Sequence, residues 1–297
     1  MKRIKLSIKW FLGTLLSGVL LVGCAESPSS EAAEATKWQA QNGEPTTVKA
    51  VKELNVSPSD SLSKTIDTLV RKELSRFGID YLTGKFEPAA HKDFIEIAKV
   101  HASRPGMYLR KDAYEAFRQM FEAAEKDGVR LIIKSATRNF EAQKAIWEGK
   151  WIGSRLLEGG VNAAKQYPDP KERALKILEW SSMPGTSRHH WGTDIDMNAF
   201  VNEYFETGVG LKVYQWLEAN AASYGFCQPY TPKGEKRPYG YNEEKWHWSY
   251  LPVSIQLISE ARSTLKDDAI SGFKGAQVAP SIGVIEKYVL GISEKCL

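Results

Sequence analysis

Three short segments of the chain carry histidines and carboxylates that are useful only in a fold that brings the segments together. The residues are Arg138, Ser187, His189, Asp196, Glu244 and His247. Two imidazoles and one carboxylate suit a catalytic zinc ion and leave one position open for water. A glutamate three residues before a histidine is then free to take a proton from that water. The pattern predicts a site for metal-assisted hydrolysis.

The spacing of His189 and Asp196 restricts the local backbone. Asp196 lies seven positions after His189, so on one continuous strand their side chains would point to opposite faces of the sheet. Gly192 lies between them and can adopt backbone angles that other residues avoid. We therefore expect His189 at a turn and Asp196 on the strand that follows, over residues 192–197.

The segment around His247 alternates in the same manner. On a strand over residues 247–251, Trp246 and Trp248 point to one face and His247 points to the other. We interpret the two tryptophans as core or pocket wall. Glu244 lies in the turn before this strand, and from there its side chain can return beside His247.

Hydrophobic periodicity predicts the remaining elements. Helices are expected at residues 62–77, 112–127, 140–147, 169–180 and 211–224. Gly128 and Gly225 end two of them. A further strand is expected at 129–134, and residues 228–242 read as a long loop. Strands that alternate with helices after a helical start indicate the α+β class, with a small, mostly antiparallel sheet and flanking helices.

The start of the chain predicts export. Residues 1–23 combine a basic stretch with an apolar run that is too short for a comfortable membrane span, as in a signal peptide. The run ends in Leu-Val-Gly-Cys, which resembles a bacterial lipobox with Cys24 as the lipidated N-terminus. An ordinary signal peptide is the alternative. We expect a lipid-anchored protein of the cell envelope, on the periplasmic side of the outer membrane in a Gram-negative cell.

The rest of the chain divides into a tether and one domain. Residues 24–61 are polar and lack apolar periodicity, so we expect a flexible tether there, whereas residues 62–297 suffice for one domain with a full core. The chain has 40 basic and 36 acidic residues, and four of the basic ones precede Cys24, which leaves 36 of each. This balance gives no electrostatic basis for binding nucleic acid.

Two cysteines remain once Cys24 is assigned to lipid. Cys227 and Cys296 form an even pair, and export to an oxidising compartment permits a disulfide between them. Two unpaired thiols are the alternative.

The motif Ser-x-His-x-x-Gly-x-x-x-Asp at 187–196, followed by Glu-x-x-His at 244–247, resembles the zinc D-alanyl-D-alanine carboxypeptidases and dipeptidases of the VanY and VanX family. That family shares its fold with the Hedgehog N-terminal domain. Residues 135–143 resemble the upstream Tyr-Arg-Ser-x-x-x-Gln segment of the family. The resemblance implies one zinc ion on His189, Asp196 and His247, with Glu244 as base, Arg138 as transition-state stabiliser, and Ser187 and Gln143 as substrate contacts.

The resemblance also implies a function, which is removal of the terminal D-alanine from peptidoglycan stem peptides during cell-wall remodelling. L,D-carboxypeptidase and peptidoglycan endopeptidase activities are alternatives, because pocket walls rather than motif residues select the bond. Another alternative is a zinc-containing, non-catalytic lipoprotein that binds cell wall, against which Glu244 and Arg138 argue. A non-haem iron oxygenase also uses two histidines and a carboxylate, but it has no use for Glu244.

The sequence departs from the family pattern at several positions. Asp194 stands where a small residue is usual, and on a strand it shares a face with Asp196, so we expect an additional carboxylate near the metal. His190 is expected to point away from the metal. Ala136 and Thr137 replace a common Gly-Tyr pair and are expected to reshape the substrate pocket.

Overall fold

A computed structural model of the chain describes residues 77–297, which all lie within one compact unit. The expected signal peptide at 1–23, lipidation at Cys24, tether at 24–61 and nearly all of the helix expected at 62–77 lie outside the described residues. These assignments stay predictions. Within residues 77–297, no helix is both long enough and apolar enough to cross a membrane.

The helices expected at 112–127, 140–147, 169–180 and 211–224 are found with somewhat different ends, and four further helices, including the long one at Leu251–Thr264, were not expected from the sequence. They are α1 (Ile79–Leu82), α2 (Lys111–Lys126), α3 (Phe140–Trp151), α4 (Ala163–Gln166), α5 (Pro170–Ile177), α6 (Gly208–Asn220), α7 (Leu251–Thr264) and α8 (Ala279–Ile282). Helix α2 buries Tyr114, Phe117 and Phe121 on one stripe, because these residues recur at the helical period. Gly128 follows it with φ at 72°, a left-handed angle that ends the helix.

The strands form two separate sheets. They are β1 (Phe94–Glu96), β2 (Tyr108–Arg110), β3 (Ile133–Ser135), β4 (Asp194–Met197), β5 (Phe226–Cys227) and β6 (His247–Tyr250). The larger sheet has the order β3-β4-β6-β5 with antiparallel neighbours throughout, and β1 pairs with β2. The expected α+β class with a small antiparallel sheet is confirmed, whereas β5 and the β1–β2 pair have no counterpart in the sequence prediction.

Strand β3 is shorter than the expected segment 129–134, and Asn198 explains the difference. Asn198 has φ at 64° and ends the partner strand β4. Its side chain accepts a hydrogen bond from the Ile132 amide (3.2 Å) and donates one to the Arg130 carbonyl (2.8 Å). Backbone groups that a longer strand would pair are therefore satisfied by a side chain.

The two faces of β4 have different surroundings. Ile195 and Met197 are fully buried in an apolar cluster with Phe117 of α2 and Leu217 of α6. Burial of each such side chain stabilises the fold by about 1.5–3 kcal/mol. Successive strand residues alternate in direction, so this packing turns Asp194 and Asp196 away from the apolar cluster. The core thus fixes which face of the sheet is available for polar chemistry.

A disulfide joins Cys227 on β5 to Cys296 near the end of the chain, 69 residues later. Strand β5 pairs with β6, which carries His247. The cross-link therefore ties the C-terminal segment to the edge of the larger sheet, beside the strand of a candidate metal ligand.

We expect Cys296→Ser to lower the free energy of unfolding by about 4 kcal/mol, because the open chain regains the entropy of a long closed loop. Urea unfolding of the non-reduced proteins measures this difference. Reducing agent provides the control, since it should bring the wild-type midpoint down to that of the variant. Equal midpoints before reduction would contradict a stabilising role for the bond.

Candidate metal centre

His189, Asp196 and His247 converge in the structure. One ligand atom from each lies within 4.8 Å of the others, and all three residues are buried. Strands β4 and β6 place Asp196 directly opposite His247. His189 sits on the 3₁₀ turn Arg188–Trp191, which Gly192 ends with φ at 71°. The chain thus breaks where the sequence requires it.

Gly192 is constrained by its neighbours as well as by its angles. A Cβ atom at this position would overlap the ring of Phe94. A side chain here would therefore have to displace the buried Phe94 ring and the Arg110 side chain, and it would adopt a left-handed φ that favours glycine. The close approach fixes the path from His189 to Asp196.

Hydrogen bonds determine which nitrogen of each histidine faces the centre. His189 Nδ1 lies 2.9 Å from the carbonyl oxygen of Ala136, which can only accept, so this nitrogen carries the hydrogen. His247 Nε2 lies 2.9 Å from Asp194 Oδ2 and donates in the same way. The other ring nitrogens carry no hydrogen and face Asp196. His189 Nε2 lies 3.3 Å from Asp196 Oδ2, and His247 Nδ1 lies 3.0 Å from Asp196 Oδ1.

This arrangement fits a cation. Asp196 Oδ1 is buried and forms no hydrogen bond among the described residues, although His247 Nδ1 lies 3.0 Å away. Two nitrogen lone pairs and a carboxylate that face one another without a hydrogen need a positive charge between them. Atoms bound to a common metal at about 2 Å would have the mutual separations found here. The three residues could therefore hold one divalent metal ion.

The surrounding charges also favour a cation. Burial opposes a charge on the His247 ring, but the carboxylates of Asp194, Asp196 and Glu244 outweigh burial and raise its pKa well above the ordinary value. A proton or a metal ion must neutralise this cluster, because buried carboxylates without a partner are costly. A bound metal would take the place of that proton.

Glu244 lies beside His189, Asp196 and His247 but is not one of the candidate metal ligands. It begins a turn in which the His247 amide donates to its carbonyl, and its Oε2 lies 3.3 Å from His247 Nδ1. The side chain is buried, and burial raises its pKa, an effect that His247 partly offsets. A carboxylate with a raised pKa close to the centre is suited to accept and return a proton.

Arg138 approaches the centre from the loop between β3 and α3. Its Nη1 donates to Ser135 Oγ at 2.8 Å and lies 3.9 Å from Asp196 Oδ2. His190 supports this loop from the other side, with Nδ1 bonded to the Arg138 carbonyl (2.6 Å) and Nε2 accepting from the Gly185 amide (3.1 Å). His190 is thus turned away from the centre, and it fixes the backbone that carries the guanidinium.

Asp194 lies close to the centre, as expected, but behind one of the candidate ligands. It does not join the metal set but lies on the far side of the His247 ring. Thr193 Oγ1 and Ser249 Oγ donate to its Oδ1, both at 2.7 Å, and Arg188 Nε donates to its Oδ2 at 3.0 Å. Both carboxylate oxygens are thus occupied by protein donors, and one of those donors is His247 Nε2. Asp194 therefore orients the imidazole rather than adding a ligand.

Arg188 and Ser249 are site residues that the sequence reasoning missed. Ser249 lies directly opposite Asp194 across β4 and β6. Strand alternation places it on the same face as His247, a signal that was present in the sequence. Arg188, by contrast, reaches Asp194 from the 3₁₀ turn, and only the folded backbone shows this contact.

We expect Asp194→Asn to weaken metal binding about 10- to 100-fold, because the amide supports the His247 ring less well than the carboxylate does. Competition with a chromophoric chelator measures the affinity. Ser249→Ala serves as the milder variant, since it removes one donor and keeps the carboxylate. Unchanged affinity in a folded Asp194→Asn protein would contradict the orienting role.

A cavity of about 420 Å³ opens onto the centre. Ser187 and Gln143, the expected substrate contacts, both line it. Gln143 Nε2 donates to the Ser182 carbonyl at 2.8 Å, whereas Gln143 Oε1 and Ser187 Oγ are buried and have no hydrogen-bond partner within residues 77–297. Buried polar atoms are rarely left unpaired, so both atoms indicate a ligand that reaches them.

Comparisons with known proteins find relatives over the part of the chain that carries these residues. Residues 106–253, which include every site residue named above, match the family model described as "VanY: D-alanyl-D-alanine carboxypeptidase". A D-alanyl-D-alanine carboxypeptidase of Enterococcus faecalis is 32% identical over 134 residues, 45% of each chain. The protein YodJ of Bacillus subtilis is 31% identical over 166 residues, 54% of this chain and 53% of that one. The chain thus spans about half the length of these curated relatives.

The chain is also similar to solved structures of VanY proteins. One is the D,D-pentapeptidase VanY of a VanB-type resistance cassette in complex with Zn(II), with 26% identity, a TM-score of 0.42, and coverage of 57% of this chain and 84% of that one. Another is VanYB in complex with D-alanine-D-alanine, with 26% identity, a TM-score of 0.43, and coverage of 60% and 93%.

Proposed function

This chain belongs to the VanY-like family through residues 106–253, and on that premise we propose that it is a zinc-dependent carboxypeptidase that removes the terminal D-alanine from peptidoglycan stem peptides. One observation carries the proposal. Two bare imidazole nitrogens and a carboxylate meet around one point, and the buried carboxyl of Glu244 lies 3.3 Å from one of them. That arrangement provides a metal site together with a separate proton acceptor.

Each residue has a distinct part in the proposed reaction. A zinc ion held by His189, Asp196 and His247 would supply a Lewis acid for the scissile carbonyl and lower the pKa of a water molecule toward about 7. Glu244 takes the proton of the attacking water and passes it to the leaving amine. The Arg138 guanidinium stabilises the negative charge that develops on the carbonyl oxygen.

The cavity supports a small peptide end as the substrate. Ser187 Oγ can donate to a backbone carbonyl or carboxylate, and Gln143 Oε1 can accept from a backbone amide. Both atoms lack protein partners among the described residues, so a bound peptide would satisfy them. The E. faecalis relative carries the name of the same activity, which agrees with this assignment.

Product analysis of muropeptides tests the proposal. Zinc-loaded protein is incubated with pentapeptide, tetrapeptide and cross-linked muropeptides, and the products are weighed by mass spectrometry. Loss of one alanine from pentapeptides is expected. Loss from tetrapeptides alone would assign an L,D-carboxypeptidase, and cleavage of cross-links alone would assign an endopeptidase. A protein that binds zinc and muropeptides without any cleavage would be the non-catalytic alternative.

A further inference from the structure

Helix α3 presents a lysine to the cavity. Gln143, Ile146 and Lys150 all line the cavity, and their spacing of three and four residues places them on one face of the helix. Gln143 already has a proposed contact with substrate. Lys150 has no part in the metal centre or in the proton transfer described above.

Lys150 is an unusual buried charge. Its side chain is only 6% exposed, and its Nζ donates to Ser181 Oγ at 2.8 Å. No carboxylate oxygen of the described residues lies within 4.0 Å of it. An ammonium group has three hydrogens to donate, so the hydroxyl of Ser181 satisfies only one of them.

The buried arginines of the described region have more partners than Lys150, although Arg188 Nη1 and Arg237 Nε form no hydrogen bond. Arg110 pairs with Asp112 at 2.7 Å, and Arg188 pairs with Asp194 at 3.0 Å. Arg237 donates to three backbone carbonyls, those of Thr231, Tyr239 and Tyr241. Lys150 differs from Arg237, which also lacks an anion, because it has one hydroxyl partner and lies in the wall of the cavity.

The electrostatic neighbours of Lys150 connect it to the centre. Burial is the main influence and lowers its pKa, Glu158 raises it, and Arg155 lowers it. Glu244 and Arg138 act on it as well, which places the ammonium within electrostatic reach of the reacting groups. An anion that binds here would supply the charge that the protein does not.

We propose that Lys150 binds the C-terminal carboxylate of the peptide and so makes the enzyme select chain ends. This inference builds on the proposed function and names the substrate feature that the cavity recognises. A carboxylate at Lys150 can accept the two remaining N–H donors of the ammonium. Ser181 positions the lysine, and a peptide that continues beyond this point would bring a neutral amide in place of the carboxylate.

The test compares an acylated D-alanyl-D-alanine with its C-terminal amide. Binding of each to zinc-loaded protein in the Glu244→Ala background is measured by calorimetry, and hydrolysis is measured in the wild-type background. We expect Lys150→Met to weaken binding of the free acid about 30-fold or more, because a buried charge pair loses one partner. Binding of the amide should change little. Lys150→Arg should restore part of the preference for the acid.

Lys134→Met is the matched control, since Lys134 also lines the cavity but is more exposed. It should leave the ratio of acid to amide affinity unchanged. The melting temperature of Lys150→Met should not fall, because the lysine has no carboxylate partner to lose. A falling melting temperature with an unchanged ratio would make Lys150 a structural residue and overturn the inference.

Two further outcomes are decisive. An equal loss for the acid and the amide would mean that Lys150 acts on a part of the ligand other than the terminal carboxylate, and it would overturn the assignment to the chain end. Tight, Lys150-dependent binding of the acid without any hydrolysis by wild-type protein would uphold the inference while refuting the proposed enzyme activity. The two ideas can therefore fail separately.

Discussion

Glu244→Ala is expected to lower kcat/KM for a D-alanyl-D-alanine peptide about 10²- to 10⁴-fold while the protein keeps its full metal content. The glutamate is the proton acceptor in the proposed reaction, and general base catalysis contributes an effect of this size. Its Oε2 lies 3.3 Å from His247 Nδ1, outside the set formed by His189, Asp196 and His247. Initial rates and metal analysis of the same samples measure both quantities.

Two variants make this experiment sharper. Glu244→Gln keeps the shape of the side chain and removes its basicity, so it should lose activity to a similar extent. Glu243→Ala changes the adjacent, half-buried glutamate, which is not part of the centre, and it should retain activity and metal. Wild-type turnover in the metal-loaded Glu244 variants would remove the residue from the mechanism.

Removal of the metal is expected to abolish hydrolysis completely, and stoichiometric zinc should restore it. The apo protein should also be less stable, because a ligand that binds only the folded state stabilises it by about 4 kcal/mol at a concentration of about 1,000 Kd. His189→Ala should reproduce both effects without a chelator. Activity and thermal unfolding are followed during dialysis against chelator and during reconstitution.

His91→Ala is the matched control for His189→Ala. His91 is half-buried beside Phe94 and contributes nothing to the metal set. Its replacement should leave metal content and the metal-dependent change in melting temperature intact. Full activity of exhaustively chelated wild-type protein would refute a metal-dependent mechanism.

The centre was predictable from sequence to the extent that its signals are local. Asp196 lies seven positions after His189, and strand alternation together with Gly192 requires a turn between them. The structure places that turn at Gly192, with φ at 71°. The alternation around His247 likewise predicts β6. In these segments, the period of the strand and the freedom of one glycine decide the outcome.

The remaining features depend on contacts that no local pattern encodes. Strand alternation correctly places Asp194 and Asp196 on one face of the sheet. It cannot show that Arg188 and Ser249 hold Asp194 behind the His247 ring. Strand β3 is shortened by the side chain of Asn198, which lies 66 residues from its partner Ile132. In both cases, a polar side chain forms hydrogen bonds with residues that are distant in the sequence.

Lys150 illustrates the same limit for a helix. A lysine on a helix normally indicates a face in solvent, because its charge is costly to bury. In α3 it shares the inward face with Gln143 and is 6% exposed. Lys150 is buried because this face of α3 forms part of the wall of the cavity, which the composition of the helix does not reveal.

The turn from Ser187 to His190 assigns each successive residue to a different neighbour. Ser187 lines the cavity, Arg188 reaches Asp194, His189 faces Asp196, and His190 holds the loop of Arg138. An inserted or deleted residue here would rotate all four side chains at once. Natural or engineered diversification of substrate choice must therefore enter through other walls of the cavity, while this stretch stays fixed in length.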